Sequence, residues 1–250
     1  MFAFIHQIWR LNTFQPSLFQ SNTPQPDLPK MVSRPRRCLY QRISVFVGLM
    51  VVIGSVGLIY PSAALAHHPL GGETPASAFE GFISGLAHPI LGPDHFAFIV
   101  AAGLLAAAIR QGLIIPMAFV LAGLAGTGIH LLNVDMPVPE IFISASVVLF
   151  GIMLTLKNTP SLLLITGMGA IAGLFHGYAY GEAIIGAEMT PLIAYLAGFT
   201  SIQLAISLAA HTVGKAAMKR VPDQPGRSLR SAGFVICGAG AAFLSAVVLG

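Results

Sequence analysis

The sequence predicts an all-α fold: a polytopic membrane bundle of six transmembrane helices behind a cleavable signal peptide. Three observations predict it. Only 9% of the 250 residues are charged and 55% are hydrophobic, with a mean hydropathy of +0.80. A soluble domain carries about 25% charged residues, so this chain cannot cover a water-facing surface. Apolar runs close to the ~20 residues that cross a bilayer recur along the chain. No segment shows the alternation of a transmembrane barrel, which leaves helices as the spanning element. The 27 glycines suit close helix approach in lipid.

The elements follow in order. Residues 1–30, with "SNTPQPDLPK", obey no targeting logic and read as a disordered tail or a mis-called extension ahead of Met31. Residues 31–66 read as a signal peptide. Arg34, Arg36, Arg37 and Arg42 form a basic n-region, residues 43–60 an apolar run, and Ala64-Leu65-Ala66 an A-x-A cleavage signal. The apolar run is 18 residues, long for a signal; the alternative is a retained first helix. Residues 67–250 form the six-helix membrane domain. Cys38 falls in the targeting region and Cys237 in a late span, so no disulfide framework arises.

The spans are expected at about 76–109, 113–133, 138–156, 161–182, 190–214 and 231–249. The first is too long for one straight crossing: its 34 residues would make a helix of about 51 Å, against a hydrocarbon core of about 30 Å. It also holds "HPILGPDH", residues 88–95, whose Pro89 and Pro93 each remove an amide donor. A broken or kinked first helix at 88–95 is expected. Orientation follows from charge. With residue 67 outside, six crossings place Arg110, Lys157 and the basic connector 215–230 in the cytoplasm, and Asp135, Glu188 and both mature termini outside. The net charge of +4 lies mainly before residue 43 and in that connector. It forms no basic patch interleaved with stacking aromatics, so nucleic-acid binding is excluded.

Ionisable residues at membrane depth mark function by default. The candidates are His88, Asp94, His95, His130, Glu140, His176, Glu182 and His211. Imidazole with carboxylate suits nickel, cobalt, zinc or copper, and equally a proton relay. A break at 88–95 would let His88, Asp94 and His95 converge and would free backbone carbonyls. Gly169, Gly173, Gly177 and Gly181 recur every four residues and form a packing ridge, with His176 and Tyr180 beside it. His130 reads as a hydrogen-bonded interface residue. Glu140 reads either as a site residue or as an acid stabilising a helix N-terminus; Glu182 and His211 stand evenly between a site role and a helix-end role. A processed N-terminus would offer an amine with His67 and His68, a set that can grip a square-planar metal. No P-loop, Rossmann fingerprint, nucleophile elbow or H-E-x-x-H is present.

These residues carry a resemblance. "HPILGPDHFAFIVAAGLLAA" resembles the signature of the HupE/UreJ family, roughly His-Pro-x-x-Gly-x-Asp-His. The likeness continues in "IIPMAFVLAG", "PEIFISASVVLFG", "FHGYAYGEA" and "LAAHTVG", over most of residues 76–250. The family comprises six-helix membrane proteins linked to nickel hydrogenase and urease maturation. The resemblance implies metal handling by His88, Asp94 and His95, and points to Phe119, Glu140 and His176 with the following acidic residue. Many members read His-Gly-x-Glu after the fourth-span histidine, where this chain has Tyr180-Gly181-Glu182. That departure bears on Glu182 and on metal preference.

The expectation is therefore a bacterial inner-membrane permease for nickel, or else cobalt. It has no tightly bound cofactor. Its partners are the metal ion, the lipid bilayer and hydrogenase or urease maturation proteins; the oligomeric state is left open. The alternatives are a non-transporting accessory or scaffold protein for hydrogenase assembly, and a membrane-embedded enzyme, for which no nucleophile is evident.

Overall fold

The computed structural model describes residues 74–220 and 226–249. The expected tail, the signal peptide, Cys38, His67 and His68 lie outside them. Among the described residues every regular element is a helix: α1 (Ala78–Leu91), α2 (Pro93–Ala108), α3 (Ile114–Leu131), α4 (Pro139–Thr155), α5 (Leu162–Glu182), α6 (Met189–Arg220) and α7 (Arg227–Leu249).

The first expected span is two helices bent by 79°. Ser77 caps α1 by accepting from the Glu80 amide at 3.2 Å, and the Glu80 carboxylate accepts from the Ala76 amide at 2.8 Å. Serine and glutamate thus satisfy early donors from both sides, in the manner of a capping box. The break falls at Gly92, extended at φ −79° and ψ 102°. Its cause is Pro93, which disfavours the helical region for the residue before it and then opens α2 as its first residue, where a missing amide costs nothing. Pro89 stays inside α1. The kink was expected from both prolines; only one makes it.

Four helices, α3, α5, α6 and α7, are long and apolar enough to cross a membrane, and the bent α1–α2 pair adds a fifth if it is one span. α4 has 17 residues, about 25 Å of helix, slightly short of the hydrocarbon core. Large apolar side chains such as Phe79, Leu121, Leu163, Ile193 and Phe234 are exposed. That surface is a liability in water and ordinary in lipid, as in a multi-pass membrane protein. The connector expected over 215–230 is shorter than read, because α6 runs on through Lys215 and Lys219 to Arg220. Lysine and arginine are good helix formers and favoured in a last turn.

Packing fixes directions. α1 and α2 both pack on α6 in the same chain sense, successive positions meeting successive positions: a Cβ on Gly85 would strike the Tyr195 carbonyl, and one on Gly103 the Ser207 carbonyl. α3 runs parallel to α5 along the expected glycine ridge. A Cβ on Gly173 would meet the Phe119 carbonyl, one on Gly177 the Gly123 backbone, and one on Gly181 the ring of His130. The Thr127 hydroxyl donates to the Gly177 carbonyl across this contact, at 2.7 Å. α7 runs antiparallel to α4, with Gly151 against Cys237, and Arg230 donates to the Thr155 carbonyl at 3.1 Å. Arg110, Lys157, Lys215, Lys219, Arg220, Arg227 and Arg230 therefore gather at one end of the bundle. Glu80, Asp135, Glu140, Glu182 and Glu188 lie toward the other.

Candidate functional site

The break at Gly92 brings α1, α2, α5 and α6 together around three imidazoles. His88, His95 and His176 are 1%, 1% and 0% exposed. They form a row: ring centroids are 5.7 Å apart between His88 and His95, and 4.8 Å between His95 and His176. The bend lets α1 contribute His88 from its last turn and α2 contribute His95 from its first. Gly92 is small because the His95 ring lies against it; a Cβ there would stand 2.5 Å from the His95 Cδ2.

Hydrogen bonds set the tautomers. The Ser146 hydroxyl donates to the Ile143 carbonyl at 2.6 Å, so toward His176 Nε2, at 3.0 Å, it accepts. A neutral His176 protonated at Nε2 has its lone pair on Nδ1. His95 Nδ1 lies 2.7 Å from that atom and must donate, which leaves the His95 lone pair on Nε2. The same logic holds at the other end. The Tyr195 hydroxyl donates to the Tyr180 carbonyl at 2.8 Å and accepts from His88 Nδ1 at 3.1 Å, which leaves the His88 lone pair on Nε2. Neutral His88 and His95 thus both carry their lone pairs on Nε2, with Nδ1 held by a partner, as metal-binding histidines do.

Aromatic groups wall the row. Tyr180, 0% exposed, packs 5.0 Å from the ring of His88 and 4.6 Å from that of His95. Phe98 and Phe119 stand 4.7 and 5.3 Å from the ring of His176.

The other expected site residues sit elsewhere. Asp94 is half-buried at the break, and its Oδ1 accepts from the His95 amide at 2.8 Å. It caps the first turn of α2. Among the described residues no three His, Cys, Asp or Glu side chains gather into a group able to hold a metal ion. His88, Asp94 and His95 do not close into the single convergent set that the sequence invites; a 79° bend aims His95 toward His176 instead. Glu140 is exposed in the first turn of α4 and Glu182 half-buried at the end of α5. His211 is half-buried toward the end of α6. His130 packs on Tyr178 at 4.3 Å between α3 and α5, an interface position, but its Nδ1 has no hydrogen-bond partner among the described residues; ring packing takes the place of the hydrogen bond expected there.

Sequence reasoning passed over Ser146, Tyr195, Phe98 and Phe150. A serine in an apolar helix, here one of two with Ser144, gives no signal. A tyrosine in the first turns of a span reads as an interfacial anchor.

A family model described as HupE / UreJ protein matches residues 40–243. "Protein HupE" of Rhizobium leguminosarum bv. viciae is 30% identical over 169 residues, covering 64% of this chain and 82% of that protein. No solved structure matches the chain. The motif of α1 and α2, the row of histidines it builds and the extent of these matches lead to one assignment: the chain belongs to the HupE/UreJ family.

Proposed function

We propose that the chain is a permease carrying a divalent transition metal ion, nickel first and cobalt second, across the bacterial cytoplasmic membrane to supply a nickel enzyme such as hydrogenase. One observation carries this reading: three buried imidazoles in file at a helix break, two of them with the lone pair on Nε2. Carriage needs ligands that bind and then release, which a row serves better than a closed cage. On this reading the chain crosses the membrane six times, α4 included. The basic end faces the cytoplasm and both mature termini face outward. The ion sheds part of its water near Asp94, takes the Nε2 atoms of His88 and His95 in turn, and passes inward. No group is held as a resident cofactor, and the chain is not an enzyme.

The test is nickel influx into proteoliposomes holding the purified chain, with His95→Ala as control. Influx through the wild type and a loss of 10-fold or more, about the effect of removing a group that orients a metal ligand, is expected. Equal influx by both would overturn the site. No influx through the wild type would favour the non-transporting accessory protein.

A further inference from the structure

Past the histidine row, two sides of the bundle lead to its basic end, and they differ in chemistry. On the α3–α4–α5 side, Phe98, Phe119 and Phe150 are each 0% exposed. Their rings lie 4.7 Å apart (Phe98 to Phe119) and 4.5 Å apart (Phe98 to Phe150), directly against His176. Between these rings this side offers only hydrocarbon; its buried hydroxyls without a partner among the described residues, Ser144 on α4 and Thr166 on α5, sit on different helices and do not follow one another at helical steps.

The α6 side is polar. Tyr195, Phe199, Gln203 and Ser207 follow at four-residue steps on the buried side of α6, each step a rise of about 6 Å and a turn of about 40° that carries the half-buried His211 away from Tyr195's face. Tyr195 holds His88, and Phe199 packs 5.4 Å from Tyr180. Gln203 comes next. The register is fixed by Gly103 against the Ser207 carbonyl and by Gly214 against Ala107. One turn back, Gln203 faces the level of Ile99, one turn beyond His95. Gln203 is 0% exposed and Ser207 1%. Among the described residues neither Oε1 nor Nε2 of Gln203, nor Oγ of Ser207, has a hydrogen-bond partner. Buried polar atoms take partners from protein or from water. Successive atoms of this kind on one face, at membrane depth, mark a hydrated or ion-bearing lane.

We propose that the metal ion leaves the histidine row along α6, over a second and weaker site formed by Gln203 and Ser207, and exits past His211. The inference rests on the permease reading. Amide and hydroxyl oxygens are harder ligands than imidazole and hold nickel or cobalt less tightly. Affinity therefore falls in the direction of travel, which is what release requires. His211 ends the lane. Its Nδ1 has no hydrogen-bond partner among the described residues.

The test uses the full chain in proteoliposomes and two readouts. In a Cys38→Ala, Cys237→Ala background, Ser207→Cys and Phe150→Cys are treated with a small, water-soluble thiol reagent, with and without nickel chloride. The expected result is labelling of Ser207→Cys, slowed by nickel, and none of Phe150→Cys. The reverse pattern, labelling of both or labelling of neither overturns the lane. Gln203→Leu should lower nickel influx about 10-fold while equilibrium nickel binding by the purified protein stays at the wild-type value, with Gln203→Asn restoring most of the influx. Wild-type influx through Gln203→Leu, or binding lost together with influx, overturns the proposal. Absence of influx through the wild type overturns the permease reading, and the lane with it.

Discussion

Replacing Tyr195 by phenylalanine removes one oxygen atom and keeps the ring that packs against Phe199, 5.7 Å away. That oxygen makes two contacts, accepting from His88 Nδ1 at 3.1 Å and donating to the Tyr180 carbonyl at 2.8 Å. Without it the His88 Nδ1–H loses its acceptor in a site 1% exposed. The ring is then free to take the other tautomer, which moves the lone pair away from the row. Loss of a group that orients a metal-binding histidine costs 10- to 100-fold in affinity or activity, about 1.4–2.7 kcal/mol. Leaving a buried donor unsatisfied costs about 1–3 kcal/mol of stability. The assay is nickel influx against external nickel concentration. A concentration for half-maximal influx raised at least 10-fold with a near-normal maximal rate is expected, alongside a lowered thermal midpoint in detergent. An unchanged half-maximal concentration in a folded Tyr195→Phe protein would refute the tautomer assignment. A merely structural tyrosine would lower the midpoint and leave the concentration dependence alone.

Gly177→Ala should destabilise the protein by about 1–3 kcal/mol in thermal melts, because the new Cβ meets the Gly123 backbone. Gly167→Ala on the same helix has nothing within 4 Å of its Cβ and should gain up to about 1 kcal/mol from helix propensity. Tyr180→His adds a fourth imidazole to the row, beside His88 and His95, and competition uptake should shift toward nickel over harder ions; unchanged preference would count against Tyr180 as a selectivity residue. Neutral imidazole is the binding form, so wild-type influx should fall as pH drops from neutral toward 5, whereas a pH-independent rate would exclude histidine ligation.

Much of the fold was legible because lipid leaves few choices. The six apolar segments recur as helices with ends within a few residues, apart from the long first span and the basic connector. Hydropathy reads burial in lipid directly. The glycine ridge of α5 was legible because a four-residue repeat maps to one helix face. Proline was legible only in part. Both Pro89 and Pro93 signal a break, but neighbours decide where the chain bends: Gly92 can extend before Pro93, while α1 closes its last turn through the Gly92 amide on the His88 carbonyl at 3.0 Å. The site was legible by residue type and not by partner. His88, His95 and His176 announce themselves as imidazoles in hydrocarbon. Their pairing depends on a 79° bend and on single hydroxyls from Ser146 and Tyr195, which no periodicity marks.

The row also answers an electrostatic difficulty. A fixed carboxylate deep in hydrocarbon costs several kcal/mol, and a cation passing through would be held tightly by it. The acidic residues of this chain instead lie toward one end of the bundle, with Asp94 at the break and its oxygen spent on the α2 amide. The deepest groups carry no fixed charge: Gln203 and Ser207 are uncharged side chains, and the hydrogen bonds of His88, His95 and His176 are those of neutral imidazoles. The interior carries charge only while an ion is in it. Each neutral ligand contributes a lone pair and little field, so no single station becomes a trap. On the permease reading, acidic groups would raise the local cation concentration at one mouth, while Lys215, Lys219 and Arg220, on the last turns of α6, mark the other as the end where an ion is held least.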